Sequence, residues 1–325
     1  MYNSSLMPQK YLQFMSIRNI SNTEMQHYYL LLQLMNFRQS EQYFITETAQ
    51  NYGREESQQV FELIIEHLTG WSRSVLFLHK DDDMNAGLQS QFDEIVAVVK
   101  KGVPVQHILA EAWFYGTKFK VNSSVLIPRP ETEELVDWIL HDLAAVSGSK
   151  TADITRILDI GTGSGCIAIS LEKLGRGVQA DAMDISAAAL LTAKENAVLN
   201  GSEVNFIQHD ITQPWCDPAG IRTLYDVIVS NPPYIKEDER TQMHSNVLDY
   251  EPHLALFVTN DNPLIFYKAI ADFALEHLQP HGHLYFEINE YLGKETVDML
   301  KDKSFTDIIL KKDMQGKDRM IRCKL

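Results

Sequence analysis

From Thr155 to the C-terminus, short apolar runs alternate with stretches of helical period. That alternation constrains the fold more than any other feature of the chain. The runs are Arg156–Ile160, Gln179–Asp184, Val204–Asp210, Asp226–Val229 and His283–Ile288. Between them lie segments such as A-A-A-L-L-T-A-K-E-N-A-V-L, Ala187–Leu199, which is followed by the capping pair Asn200-Gly201. Strands joined through helices run parallel, with the helices covering both faces of the sheet. The last two runs, Thr306–Asp313 and Arg319–Leu325, are linked only by M-Q-G-K-D, which leaves no room for a helix. They must pair antiparallel. The expected class is α/β: a doubly wound, mostly parallel seven-stranded sheet with a C-terminal antiparallel hairpin.

The N-terminal third reads differently. L-L-L-Q-L-M (Leu30–Met35), V-F-E-L-I-I-E-H-L (Val60–Leu68) and F-D-E-I-V-A-V-V (Phe92–Val99) repeat apolar residues at three- and four-residue steps. Gly70, Gly102 and Asp81–Asp83 punctuate them. F-Y-G-T-K-F-K-V, Phe114–Val121, then alternates apolar and polar residues around Gly116, and V-L-I-P follows. This predicts a β-hairpin linker. A helix begins at Pro130, with glutamates in its first turns and Leu135, Ile139 and Leu143 as its buried stripe. The expected domains are an extension over 1–21, a small helical domain over 22–110, a hairpin linker over 111–130 and an α/β domain over 131–325.

Composition narrows the function. The formal net charge of −15 argues against nucleic acid as the main partner, because proteins that hold phosphate backbones carry a basic face. Cys166, Cys216 and Cys323 are scattered and odd in number, with neither metal-ligand spacing nor a disulfide framework. No run approaches a membrane span and no secretory signal opens the chain, so a reducing cytoplasm is the expected location.

I-L-D-I-G-T-G-S-G-C occupies the first strand-to-helix turn. Alternate glycines let backbone approach a ligand closely. A dinucleotide fingerprint needs glycine at its sixth position, where Cys166 stands. The loop instead resembles motif I of class I methyltransferases, acidic-x-G-x-G-x-G, over Asp159, Gly161, Thr162, Gly163, Ser164 and Gly165. The resemblance implies S-adenosylmethionine as cofactor, its positively charged amino-acid end lying against this loop and favoured by carboxylates. Asp184, about twenty residues on, ends the second strand where a carboxylate can accept both ribose hydroxyls. Ser186 offers itself as the following helix cap. The resemblance also places Asp210 or Ile211 beside the adenine. The competing reading of Asp210 is a solvated strand-end aspartate.

S-N-P-P-Y-I follows the fourth strand, whose end opens onto the ligand crevice. Pro232 and Pro233 stiffen the kink and remove two donors while keeping their carbonyls. Asn231 adds a side-chain carbonyl. Two accepted N–H bonds, to Asn231 Oδ1 and the Pro232 carbonyl, would align a planar –NH2 group with the S–CH3 bond and stabilise charge developing on nitrogen. Tyr234 can stack on the planar group.

The N-P-P-Y motif resembles both the adenine or cytosine amino-methyltransferases and the protein glutamine N5-methyltransferases. Other segments separate them. Pro104–Val121, Val125–Val136, Tyr250–Leu256 and K-D-M-Q-G-K-D-R resemble the release factor methyltransferases of the HemK/PrmC family, over roughly 22–325. The departures are His107 for tyrosine, Ala110 for glycine, and Asn289 and Leu292 after E-I. This resemblance implies methylation of the Gly-Gly-Gln glutamine in peptide-chain release factors 1 and 2, which the helical domain docks. It leaves Arg129 either closing the cofactor pocket or forming a linker ion pair. The rivals are a ribosomal-protein glutamine methyltransferase, an adenine-N6 nucleic-acid methyltransferase and a non-catalytic module that binds translation factors.

Overall fold

The structure is a computed structural model that describes residues 34–147, 154–216, 222–243 and 245–325. The extension over 1–21 lies outside them. The chain divides into two compact units, Met1–Lys101 and Gly102–Leu325.

The described part of the first unit holds four helices: α1 (Phe37–Tyr52), α2 (Arg54–Thr69), α3 (Arg73–Leu78) and α4 (Ala86–Val99). Asn36 and Gln39 form a reciprocal capping box that starts α1. This corrects one reading of the sequence: Leu34 and Met35 precede the helix, and Leu30–Gln33 lie outside the described residues. The periodic stripes converge on Phe44, Phe61 and Phe92, whose rings meet tilted or edge-on at 5.8–6.2 Å. Gly70 ends α2 in the left-handed conformation.

The second unit begins with α5 (Val105–Leu109) and an antiparallel hairpin, β1 (Glu111–Phe114) and β2 (Thr117–Lys120). Its turn places Tyr115 and Gly116 both at positive φ, the geometry that matches strand twist. Val125–Pro128 forms no strand. The hairpin docks on α6 (Pro130–Ser147) through the Tyr115 backbone N–H to Glu133 and the Tyr115 hydroxyl to Asp137.

The sheet strands are β3 (Thr155–Ile160), β4 (Val178–Asp184), β5 (Asn205–Gln208), β6 (Tyr225–Ser230), β9 (Leu278–Glu287), β10 (Thr306–Lys312) and β11 (Asp318–Lys324). A short separate pair, β7 (Ile235–Lys236) and β8 (Phe257–Val258), lies between β6 and β9 in sequence. The order β10-β11-β9-β6-β3-β4-β5 is a doubly wound sheet with seven strands, antiparallel only where β11 meets β9 and β10. β3 is flanked in parallel by β4 and β6, so the chain reverses its direction of winding there and leaves a crevice at the strand ends.

Strand alternation assigns the two faces. Ile157 packs with Leu135, Val136 and Ile139 of α6 and with Ile167–Ile169 of α7 (Cys166–Leu174). Leu158 and Ile160 pack with Tyr267 and Ile270 of α10 (Ile265–His277) and with Leu300 of α11 (Gly293–Asp302). These helices follow α8 (Ala187–Asn200) and α9 (Ser245–Tyr250). Ser186 caps α8 by accepting the Ala189 N–H, and Gly201 ends it at φ 62°. The third strand stops at Gln208, two residues before the end expected from the sequence. Asp210 folds its carboxylate onto the Thr212 N–H and hydroxyl, a local turn that competes with the ladder. No helix among the described residues is long and apolar enough to cross a membrane.

Candidate active site

The glycine loop is held from three sides. Gly161 and Thr162 donate to the Met183 carbonyl at 2.8 and 3.0 Å, continuing the contact with β4 past the end of β3. The Gly163 N–H donates to Asp184 Oδ2 at 2.9 Å, while Asp184 Oδ1 accepts from Ser186. Gly165 turns the chain into α7 at φ +82°, and a Cβ there would stand 2.9 Å from Ile169 Cδ1 and 3.2 Å from Ala193 Cβ. Its lack of a side chain therefore serves the packing of α7 on α8.

From α8, the buried Asn196 reaches back to the same loop. Its Nδ2 donates to the Ser164 and Lys120 carbonyls, and its Oδ1 accepts the Lys120 N–H. One side chain thus ties loop, helix and hairpin together.

Asp159 lies beneath the loop, fully buried. Its Oδ2 accepts from the Thr162 hydroxyl at 2.6 Å and from the Ala168 N–H, and its Oδ1 has no partner. Burial pushes its carboxyl up to about 7 despite those two bonds. Burial also raises Asp184.

A cavity of about 470 Å³ opens at the strand ends, a size that suits a nucleoside-sized ligand. It brings together Gly161, Gly163, Asp184, Asp210, Ile211, Asn231, Pro232 and Pro233. Thr162, Ser164, Gly165 and Asp159 do not line it, and Tyr234 lines a smaller cavity with Asn289 and Arg319. Apolar lining comes from Met183, Ile185, Phe266 and Ile270, against which an adenine or an aliphatic chain can pack. Asp184 retains lone pairs beyond those used by Gly163 and Ser186, so it can still accept hydroxyls. The donor set and the acidic rim fit a cationic nucleoside ligand.

The Asn-Pro-Pro-Tyr kink is braced rather than free. Ser230 Oγ donates to the Ile160 carbonyl at 2.6 Å, fastening β6 to β3 where both end. Asn231 Nδ2 donates to Thr132 Oγ1 at 3.1 Å, which leaves Oδ1 without a protein donor in the hydrogen bonds described. The Tyr234 hydroxyl donates to Glu287 Oε1 at 3.0 Å, and Asn289 Nδ2 donates to the Tyr234 carbonyl at 3.0 Å.

Arg129 pairs with Glu251, whose other oxygen accepts the Ile127 N–H at 3.1 Å. It is therefore an ion pair tying the segment before α6 to the Y-E-P-H segment, and it does not line the large cavity. His107 has its Nε2 buried without a partner, and burial lowers its pKa. Ala110 adopts φ 55°, the conformation for which glycine is suited.

Sequence reasoning passed over Thr132, Asn196, Glu251 and Glu287. A trace of two is legible afterwards: Asn196 stands in the buried stripe of α8, and Glu287 interrupts the apolar run of β9. The partners of both come from distant segments, and sequence alone does not supply those.

A doubly wound sheet whose first crossover carries acidic-x-G-x-G-x-G, with an acceptor-rich kink across the same crevice, defines a class I methyltransferase that uses S-adenosylmethionine. Comparison with known proteins agrees. Residues 145–250 match the methyltransferase small domain family, and residues 42–109 match the PrmC N-terminal domain. The chain is 44% identical over 279 residues to the release factor glutamine methyltransferase of Flavobacterium psychrophilum, covering 86% of this chain and 95% of that one. It is 42% identical to the corresponding enzyme of Bacteroides thetaiotaomicron, covering 83% and 93%. Among solved structures, a ribosomal protein L11 methylase from Lactobacillus delbrueckii subsp. bulgaricus is 20% identical with a TM-score of 0.41, covering 61% of this chain and 79% of that one. The chain belongs to the release factor glutamine methyltransferase family.

Proposed function

We propose that this chain transfers a methyl group from S-adenosylmethionine to the N5 side-chain nitrogen of the Gly-Gly-Gln glutamine in peptide-chain release factors 1 and 2, in the cytoplasm. S-adenosylmethionine supplies the methyl on a positively charged sulfur, with a good leaving group built in. Asp184 accepts the ribose hydroxyls. Asp210 and Ile211 border the adenine. Gly161 and Gly163 pass close along the amino-acid end, and Thr162, Ser164 and Gly165 shape the loop behind them. Asp159 acts from below, through its field and its bond to Thr162.

The amide nitrogen of glutamine is a weak nucleophile because its lone pair is delocalised. Asn231 Oδ1 and the Pro232 carbonyl accept its two N–H bonds, orient it towards the methyl group and stabilise positive charge growing on it. As the N–CH3 bond forms the S–CH3 bond breaks, the thioether leaves, and one of the two N–H protons is released to solvent. Pro233 stiffens the kink and Tyr234 anchors its far end. The observation that carries this reading is the bond from Asn231 Nδ2 to Thr132, which turns Oδ1 away from the protein's own donors. The helical unit docks the protein substrate.

The test supplies S-adenosylmethionine with a labelled methyl to release factor, ribosomal protein and DNA in parallel. Label should appear on the Gly-Gly-Gln glutamine alone. Asn231→Ala should abolish transfer while holding cofactor affinity within severalfold. A variant as active as the parent chain, or label on DNA, refutes the reading.

A further inference from the structure

An asparagine can present either end of its amide, and only one end serves a substrate that brings two N–H donors. Something must hold Asn231 the right way round. Its Nδ2 contacts Thr132 Oγ1 at 3.1 Å, and Thr132 Oγ1 lies 2.6 Å from Glu287 Oε2. Thr132 and Glu287 are 3% and 1% exposed, so water does not compete for the bond between them, while Asn231 stands half-buried at the cavity wall.

A hydroxyl has one proton, and an ionised carboxylate only accepts. Thr132 therefore spends its proton on Glu287, in a bond of the short, charge-assisted kind. What it turns to Asn231 is a lone pair. With the amide reversed, Oδ1 would face that lone pair, acceptor against acceptor, and the buried Thr132 oxygen would lose the donor it accepts from. Glu287 Oε1 meanwhile accepts the Tyr234 hydroxyl at 3.0 Å. One carboxylate, at the end of β9, thus braces both ends of the Asn-Pro-Pro-Tyr kink.

We infer that Thr132 and Glu287 are positioning residues: the buried carboxylate sets the direction of a hydrogen-bond chain that keeps the carbonyl oxygen of Asn231 turned to the substrate amide. The inference rests on the role proposed above for Asn231. It adds a condition, that Glu287 be ionised. A protonated Glu287 can donate to Thr132, which frees the threonine proton to point at Asn231 and favours the reversed amide.

Burial raises the Glu287 pKa, opposed by its bonds from Thr132 and Tyr234. Arg319 faces it from β11 and favours its charge, while Glu131 of α6 disfavours it. The Tyr267 hydroxyl of α10 donates to its backbone carbonyl, and the Cys166 thiol of α7 also senses its charge.

The experiment measures kcat, KM for release factor and the dissociation constant for S-adenosylmethionine on the full-length chain. Thr132→Val keeps the shape and deletes the relay. Its kcat should fall about 10- to 100-fold, the scale of losing a hydrogen-bond partner that orients a functional side chain, with cofactor affinity within about twofold. Thr132→Ser should recover most of the loss. A Thr132→Val enzyme with undiminished kcat, or one that loses cofactor affinity instead, overturns the inference. A second measurement does not depend on that variant folding. In an Asp159→Asn background, which removes the other raised carboxyl beside the site, kcat at saturating cofactor should fall on an acidic limb shifted upward from the ordinary carboxylate value, and Glu287→Gln should remove that limb. Persistence of the limb in Glu287→Gln also overturns the inference. Retained activity in Asn231→Ala would sink the proposed function itself. Inactive Asn231→Ala beside fully active Thr132→Val would sink only the relay.

Discussion

Asn196 Nδ2 donates to the Ser164 carbonyl at 2.9 Å, so a residue in the interior of α8 holds the last turn of the glycine loop. The same side chain closes two bonds with the Lys120 backbone. Asn196→Ala removes the partner of one buried carbonyl, at Ser164, and of the part-buried N–H and carbonyl of Lys120. It should cost about 2–4 kcal/mol of stability and weaken cofactor binding, checked by urea denaturation and calorimetric titration. Undiminished stability would mean that water replaces the side chain.

Gly165→Ala tests packing rather than ligand approach. The added methyl meets Ile169 and Ala193 at a backbone angle of +82°. We expect a loss of about 1–3 kcal/mol. Gly161→Ala meets no atom within 4 Å, so its penalty comes from backbone angle alone and from any ligand drawn close. Thermal melts with and without S-adenosylmethionine separate the two cases.

Ala110→Gly should stabilise the chain by about 1 kcal/mol, because alanine at φ 55° carries left-handed strain that glycine does not. Its side chain is exposed, so little packing is lost. The denaturation midpoint should rise at constant slope.

Asp184→Asn keeps the size of the side chain but leaves one oxygen where two accept, from Gly163 and Ser186. Affinity for S-adenosylmethionine should fall about tenfold or more, which corresponds to the loss of a single polar contact. Calorimetry at constant pH measures it, and an unchanged affinity would remove Asp184 from the binding site.

Asp159 makes stability depend on pH. Its carboxyl is raised from 3.8 to about 7, so the folded chain binds the proton more tightly than the unfolded chain does. The stabilisation is complete below about pH 4 and is lost as pH rises to about 7. The whole shift corresponds to at most about 4 kcal/mol. Asp159→Asn should therefore be more stable than the parent chain at pH 8, and the advantage should shrink towards pH 4. Denaturation across that range is the check, and a difference independent of pH would contradict it.

Much of the sheet was legible in the sequence because it follows from local pattern. Apolar alternation marks the strands, helical period marks the crossovers, and a five-residue connection forces the last two strands antiparallel. The ends of elements were less legible. The sequence predicts a third strand running to Asp210, but the carboxylate of that residue finds the Thr212 N–H and the strand stops first. Met35 continues an apolar period, but the capping box at Asn36 starts the helix later. For Arg129, the sequence left a pocket role and an ion pair equally open. Glu251, 122 residues away, makes it an ion pair.

The sequence by itself determined the order of strands and helices, the glycine turn and the acceptor-rich kink, since each depends on residues within a few positions of one another. Tertiary structure decided which of those residues share a wall and which way their amides face. Asn231 meets Thr132 across 99 positions, and Thr132 meets Glu287 across 155. The direction of a hydrogen bond depends on the proton its partner has already committed. That partner becomes identifiable only when the sheet and α6 bring distant segments to the same few ångströms of dry space.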